Sequence, residues 1–215
     1  AGKSTLVSII SGVAKPDSGF VAVDGKGFGG SGSRAARESG IETVFQNLAL
    51  VSTLDIAENV YLGRELYRAG ALGRSVRWMD KPKMRRQVEH AFSRLGLNLP
   101  PVSAKAGSLS GGQRQAVAIA RAVIWGSKVV LMDEPLAALG VRQTEAVLSM
   151  VEGLRRHDVA TVLVSHNMEH VLRVADRVAV MRHGRKIADI DLRVTEINAM
   201  QLVGLITGGM TEAQL

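Results

Sequence analysis

Two short apolar runs without a charged residue constrain the fold of this chain most. They are residues 129–132 (Val-Val-Leu-Met) and residues 161–164 (Thr-Val-Leu-Val), and residues 141–156 between them have a helical pattern. Uninterrupted apolar runs are typical of parallel strands, because such strands are buried on both faces of the sheet. Strands that alternate with helices predict an α/β fold, here a mainly parallel sheet flanked by helices.

A long helical stretch interrupts this alternation. From about residue 50 to residue 123, apolar side chains recur with the 3.6-residue period of a helix, as Ile56, Ala57 and Val60 do. We therefore predict one domain over residues 1–215 with a helical subdomain inserted at about residues 50–123. The other predicted elements are strands at residues 20–23, 41–45, 177–181 and 186–190, helices at residues 168–174 and 195–206, and a loop at residues 27–33.

Composition argues against several classes of protein. The chain has 215 residues, of which 46% are hydrophobic, enough for one compact core, and it has no cysteine for a disulfide or a thiolate metal site. No apolar run approaches the roughly 20 residues that a membrane-spanning helix needs. The net charge of +7 comes from scattered Lys and Arg residues. We interpret it as a solvated surface and expect no nucleic-acid partner.

The first residues carry a phosphate-binding motif. Gly2-Lys3-Ser4-Thr5 precedes an apolar helical stretch and matches the second half of a P-loop. At such a helix start, the backbone N–H groups and the helix dipole attract phosphate. Lys3 would reach the β- and γ-phosphates of a nucleotide, and the Ser4 hydroxyl would bind Mg²⁺.

An acidic pair follows the first apolar run. Ligands of an open α/β sheet bind at the carboxyl ends of its strands, and Asp133 and Glu134 stand at such an end. Asp133 would hold Mg²⁺, directly or through water, and Glu134 would orient or deprotonate the attacking water. The structural alternative is a simple strand-end turn, since Asp-Glu-Pro also ends a strand well. The phosphate-binding motif upstream favours the catalytic interpretation.

A serine and two glycines mark another helix start. Ser110 can cap the helix predicted over residues 114–124, and Gly111 and Gly112 would let a phosphate approach its N–H groups. The structural alternative is a capped helix after a glycine turn. That alternative explains Ser110 and one glycine, but it leaves the second glycine unexplained.

Together these residues resemble the ATP-binding cassette (ABC) family of P-loop NTPases, along essentially the whole chain. Gln46 and His166, which each follow a predicted strand, complete the family's set of motifs. The match consists of Gly2-Lys3-Ser4-Thr5 as Walker A, Gln46 as Q-loop, Leu109-Ser110-Gly111-Gly112-Gln113 as signature, Asp133-Glu134 as Walker B with the catalytic glutamate, and His166 as switch histidine.

The resemblance implies an ATP hydrolase with ATP and Mg²⁺ as its ligands. Two cassettes pair head to tail, and the signature of one serves the ATP that the Walker A of the other binds. His166 would contact the γ-phosphate, and Gln46 would bind Mg²⁺ or the attacking water. The implied sites are catalytic Glu134, His166 and Gln46, nucleotide-binding Gly2, Lys3, Ser4, Thr5, Ser110, Gly111, Gly112 and Gln113, and metal-binding Ser4, Gln46 and Asp133.

Three segments narrow the resemblance to bacterial monosaccharide importers of the ribose, xylose and fructose type. They are residues 43–50, residues 59–65 and residues 133–140, and in the last of these Ala137-Ala138-Leu139-Gly140 replaces the more usual Ser-Ala-Leu-Asp. An importer implies transmembrane permease subunits and, indirectly, a periplasmic sugar-binding protein. It also implies a peripheral position on the cytoplasmic face of the bacterial inner membrane.

Two alternatives stay open. A soluble ABC ATPase of translation or DNA repair would need a second cassette with a charged linker, or a long coiled coil between Gln46 and Ser110, and the sequence has neither. The other alternative is a non-catalytic remnant, because the family has a strand and an adenine-stacking aromatic residue ahead of the position of Ala1. We expect that strand between the Asp133 and His166 strands, and weak ATP binding and low stability from residues 1–215 alone.

Overall fold

The computed structural model divides into two compact units. Unit 1 comprises Ala1–Gln46, Lys128–Ala137 and Leu154–Leu215, and unit 2 comprises Asn47–Ser127 and Ala138–Gly153. The prediction of one domain with a helical insert at about residues 50–123 stays a prediction. The residues that the structure describes are 2–28, 32–45, 48–68, 78–97, 99–125, 127–137 and 139–214.

A three-stranded parallel sheet forms the centre of unit 1. Its strands are β3 (Ile41–Val44), β4 (Val129–Asp133) and β5 (Ala160–Val164), in the order β3-β4-β5. Val130, Leu131 and Met132 of β4 are completely buried. An apolar central strand of this kind is what parallel sheets require, and the predicted α/β fold with a mainly parallel sheet is confirmed.

β4 and β5 pair directly, from Val129 opposite Ala160 to Asp133 opposite Val164. The expectation of another strand between them is therefore wrong. The physical reason is that consecutive strands joined by a single helix usually become neighbours in the sheet. β5 is consequently an edge strand of this sheet, and Val162 on it is 39% exposed.

Two antiparallel hairpins complete the strands that the structure describes in unit 1. They are β1 (Val21–Val23) with β2 (Lys26–Phe28), and β6 (Arg177–Arg182) with β7 (Arg185–Asp191). Their two-residue turns, Asp24-Gly25 and His183-Gly184, have positive φ at both positions, as a type I′ turn requires. The hairpin predicted around His183-Gly184 is confirmed. The predicted loop at residues 27–33 is wrong at both ends, because β2 extends to Phe28 and a helix begins at Ser33; residues 29–31 lie outside the described residues.

Both units contain helices. The helix predicted over residues 195–206 begins only after Asn198, because the Asn198 side chain accepts a hydrogen bond from the Gln201 N–H and so caps it. No helix of the described residues is long and apolar enough to cross a membrane. The helices are α1 (Lys3–Ile10), α2 (Ser33–Glu38), α3 (Ile56–Val60), α4 (Lys81–Arg94), α5 (Gly111–Ile124), α6 (Val141–Leu154), α7 (Met168–Val174) and α8 (Ala199–Thr207).

Unit 2 has its own apolar core, built from one face of each of its first three helices. The fully buried side chains include Ile56 and Val60 of α3, Val88 of α4 and Val117 of α5. These residues repeat at the helical spacing seen in the sequence, so the helical character predicted for this stretch is confirmed.

Candidate active site

The acidic pair lies where β4 ends. Asp133 is the last residue of that strand, and the Glu134 N–H donates a hydrogen bond of 2.9 Å to the Val164 carbonyl at the end of β5. Glu134 has a φ of 50°, in the left-handed region that L-residues rarely adopt. Strain of this kind is typical of functional sites, since it must be held by the surrounding structure.

His166 and Glu134 meet at this edge of the sheet. The His166 Nδ1 atom lies 2.8 Å from Glu134 Oε2, although the two residues are 32 positions apart in the chain. The His166 side chain is 76% exposed and that of Glu134 is 23% exposed, so both are accessible to a ligand. A carboxylate hydrogen-bonded to an accessible imidazole can orient a water molecule and accept its proton.

Two neighbours that sequence reasoning missed hold His166 in place. The Asn167 N–H donates to Ser165 Oγ, and Asn167 Oδ1 accepts from the His170 N–H, which caps α7. His166 is thereby held between the end of β5 and the start of α7. An asparagine directly before a helical pattern is a recognised capping signal, so this contact could have been found in the sequence.

The start of α1 is open to an anion. Gly2 precedes the helix with a φ of 99°, and no side chain of the described residues caps the helix there. Without a capping side chain from the described part of the chain, the first N–H groups of the helix can bind phosphate oxygens. Lys3 is half-buried, Ser4 and Thr5 are exposed, and α1 contacts β4 within unit 1.

The described residues contain no group of three or more His, Cys, Asp or Glu side chains that could hold a metal ion. Mg²⁺ does not need one, because it commonly binds through one or two protein ligands, the substrate phosphates and water. The carboxylate of Asp133 and the hydroxyl of Ser4 fit that chemistry. Gln46, the third predicted ligand, lies outside the described residues.

The signature residues of unit 2 form a helix cap. The Gln113 N–H donates to Ser110 Oγ at 3.3 Å, and the Ser110 N–H donates to Gln113 Oε1 at 2.8 Å. This reciprocal pair is a capping box, and the Ser-x-x-Gln spacing alone could have predicted it. Ser110 remains exposed at the surface of unit 2.

The second glycine of the signature has a packing role that the sequence did not reveal. A Cβ atom on Gly112 would lie 2.9 Å from the Cβ of Gln143 on α6, and Gly112 is buried. A Cβ on Gly111 would lie 3.2 Å from Leu139 Cδ2. The structural alternative therefore does explain the second glycine, because α5 and α6 approach too closely at this point for a side chain.

The chain as a whole matches one family of known proteins. Residues 1–137 match the ABC transporter family. The chain is 46% identical over 192 residues to the fructose import ATP-binding protein FrcA of Rhizobium meliloti, covering 89% of this chain and 74% of the relative. It is 40% identical to the xylose/arabinose import ATP-binding protein XylG of Sulfolobus acidocaldarius, covering 87% and 72%.

A longer relative and solved structures extend the comparison. The ribose import ATP-binding protein RbsA of Chromobacterium violaceum is 37% identical over 97% of this chain, which spans 40% of that relative. A nucleotide-free ATP-binding cassette from an ABC transporter superposes with a TM-score of 0.76 at 26% identity, covering 96% of this chain and 80% of that one. A dimeric cassette bound to ADP and phosphate superposes with a TM-score of 0.70 at 27% identity, covering 90% and 82%.

Proposed function

The chain belongs to the ABC transporter family, and on that premise we propose that it is the ATP-hydrolysing subunit of a monosaccharide importer. The contact between Glu134 Oε2 and His166 Nδ1 carries this proposal. Glu134 orients the attacking water and accepts its proton, while His166 holds the γ-phosphate beside it. Accessible side chains and a strained backbone at Glu134 support these roles.

The nucleotide phosphates bind at the start of α1. Gly2, Lys3, Ser4 and Thr5 present the N–H groups of the first turn, and Lys3 adds its positive charge. Mg²⁺, when bound, would neutralise part of the negative charge of the phosphates. Ser4 and Asp133 would hold it, together with Gln46.

A second cassette completes the site, as in the dimeric cassette that this chain resembles. Ser110, Gly111 and Gln113 of the signature would face the nucleotide of the partner. Gly112 would support them from inside the helix pair α5–α6.

Transmembrane permease subunits would receive the mechanical work of ATP hydrolysis, as the import function of the relatives implies. A periplasmic sugar-binding protein would deliver the sugar, and the chain would sit at the cytoplasmic face of the inner membrane. Fructose, xylose, arabinose and ribose are the candidate sugars, since the similar proteins are import subunits for them.

The substitution Glu134→Gln tests the catalytic assignment. We expect ATP turnover by the full-length protein to fall to background, while binding of a fluorescent ATP analogue stays within about twofold, because an amide cannot accept the proton of water. The matched control is Glu196→Gln, since Glu196 is exposed on the loop before α8. Undiminished turnover in the Glu134 variant would remove it from the catalytic role.

The transport assignment needs a second experiment. The protein is reconstituted in lipid vesicles with the permease encoded beside it, and ATP hydrolysis is measured with fructose, xylose, arabinose or ribose and the cognate binding protein. We expect one of these sugars to stimulate hydrolysis. Hydrolysis by the protein without any association with a permease would favour the soluble ABC ATPases instead.

A further inference from the structure

The β6–β7 hairpin touches the start of α1, although neither the motifs nor the proposed mechanism uses it. A Cβ atom on Gly2 would lie 2.9 Å from Gly184 Cα and 3.5 Å from Gly184 N. The two backbones are therefore in van der Waals contact. Gly2 precedes the first turn of the phosphate-binding helix, so the hairpin turn determines where that residue can lie.

Met181 reinforces the same contact from the strand before the turn. Its Cε atom would lie 3.4 Å from a Cβ on Gly2. The register of the β6–β7 ladder shifts between Val180 and Met181. The pairs on either side of this shift are Val180 with Ala188 and Met181 with Lys186, so the extra residue of the bulge is Ile187 on β7. A bulge bends its strand and is common next to active sites, and this one lies opposite the step from Val180 to Met181.

Arg182 holds the other side of the turn. A Cβ on Gly208 would overlap Arg182 Nη1, so the guanidinium occupies the space beside that glycine. Gly208 ends α8 in the left-handed conformation, where the last carbonyl groups of the helix attract a cation. The turn is thus bound to α8 through Arg182 and to α1 through Gly184.

The β1–β2 hairpin provides an internal comparison. Its Asp24-Gly25 turn has φ values of 51° and 74°, close to the 49° and 77° of His183-Gly184. Its ladder keeps a regular register, and the carboxylate of Asp24 pairs with Lys128 instead. No atom elsewhere in the described part of the chain lies within 4 Å of a Cβ on Gly25, so the close contact with Gly2 is a property of the β6–β7 turn and not of the turn type.

We propose that Met181, Arg182 and Gly184 are positioning residues for the nucleotide phosphates. They hold Gly2 so that the first N–H groups of α1 point at the phosphates, and they link phosphate binding to the end of α8. Such a link is reciprocal, so phosphate binding must also stabilise the end of α8. This inference rests on the proposed function, because it assumes that α1 binds ATP.

Kinetics of Met181→Ala and Arg182→Ala in the full-length protein test the positioning role. We expect the KM for MgATP to rise about tenfold with kcat within about twofold, because a small displacement of the phosphate cradle weakens binding before it affects the Glu134 chemistry. Met181→Leu should restore most of the affinity. Met200→Ala and Arg193→Ala are the matched controls, because Met200 is 83% exposed and Arg193 pairs with Asp191.

Hydrogen exchange separates positioning from a purely structural role. ADP should slow amide exchange at residues 205–208 in the wild type, and Arg182→Ala should abolish this protection without a matching fall in the thermal midpoint. An unchanged KM in both variants, or equal protection in the Arg182 variant, would overturn the inference. If the wild type hydrolyses ATP while these variants behave normally, the proposed function stands and only the positioning role fails.

Discussion

The strand-end pair of unit 1 and the signature of unit 2 are built in opposite ways. Glu134 and His166 are 32 positions apart and meet only because β4 and β5 are neighbours in the sheet. Ser110 and Gln113 are three positions apart and meet because one helix turn brings them together. One site depends on tertiary pairing, whereas the cap of the other depends on local geometry.

A single motif can contain both a local constraint, such as a helix cap, and a tertiary constraint, such as a close contact with another helix. The Ser-x-x-Gln cap would form in any helix that starts at that position. Gly112, one residue before Gln113, is constrained instead by Gln143 on another helix, which leaves no space for a Cβ atom at position 112. The signature therefore also contains a tertiary constraint, and the substitutions below separate the two kinds.

His166→Ala should have the largest effect, because it removes one half of the strand-end pair. We expect ATP turnover to fall about a hundredfold or more, because the γ-phosphate loses a hydrogen-bond donor that holds it beside the water oriented by Glu134. The measurement is steady-state hydrolysis of MgATP by the full-length protein. His157→Ala, on an exposed turn of unit 1, is the control and should retain wild-type turnover. Equal ATP turnover in the two variants would contradict the assignment of His166 to the catalytic site at the end of the strands.

Gly112→Ala should come next, because it tests the tertiary constraint inside the signature. The added Cβ would collide with the Gln143 side chain, and we expect a loss of about 1–3 kcal/mol in the free energy of unfolding. Gly153→Ala in α6 is the matched control, since no atom lies within 4 Å of its added Cβ. That control should be neutral or stabilise by about 0.4–1 kcal/mol in urea unfolding. A neutral Gly112 variant would show that the close approach is not needed.

Ser110→Ala tests the local constraint and should cost less. Loss of the cap should lower the free energy of unfolding by about 1 kcal/mol, because the Gln113 N–H loses its acceptor. Ser110→Thr should restore most of this stability. ATP turnover of the same variants sharpens the comparison. If Ser110→Thr recovers stability but not turnover, the serine serves the partner's nucleotide as well as the cap.

The smallest effect concerns an ion pair in unit 2. The Lys81 ammonium, 2.5 Å from Glu58 Oε1, lowers the pKa of Glu58 below its usual 4.5. A lowered carboxyl pKa adds stability above pH 4.5, and that stability is lost as the pH falls through the folded pKa. Lys81→Met should therefore cost under about 1 kcal/mol at pH 7 and nothing at a pH below the folded pKa.

Urea midpoints at the two pH values measure this difference. Lys83→Met on the same helix is the control, because only the backbone N–H of Lys83 takes part in capping α4, through Asp80. An equal loss at both pH values in the Lys81 variant would assign the effect to packing and not to charge.

Much of the fold and of the candidate site followed from local patterns. The apolar runs at β4 and β5 and the helical period of unit 2 predicted the α/β fold, and the resemblance of the motifs to the ABC family implied an ATPase. The expectation of a strand between β4 and β5 was wrong, because the order of strands in a sheet cannot be deduced from the apolar run of any one strand. The role of Gly112 was missed for the same reason, since its neighbour lies on another helix.

Four local features of the proposed site could be predicted from the sequence: a helix start suited to phosphate, an acidic pair at a strand end, a histidine after the next strand, and a signature helix capped by a serine. The tertiary structure alone decided that Glu134 faces His166, that α5 and α6 meet at Gly112, and that the β6–β7 turn touches Gly2. The difference arises from the separation of the interacting residues along the chain. Caps and helical periods arise within a few residues, whereas these contacts join residues distant in the chain and depend on how whole elements pack.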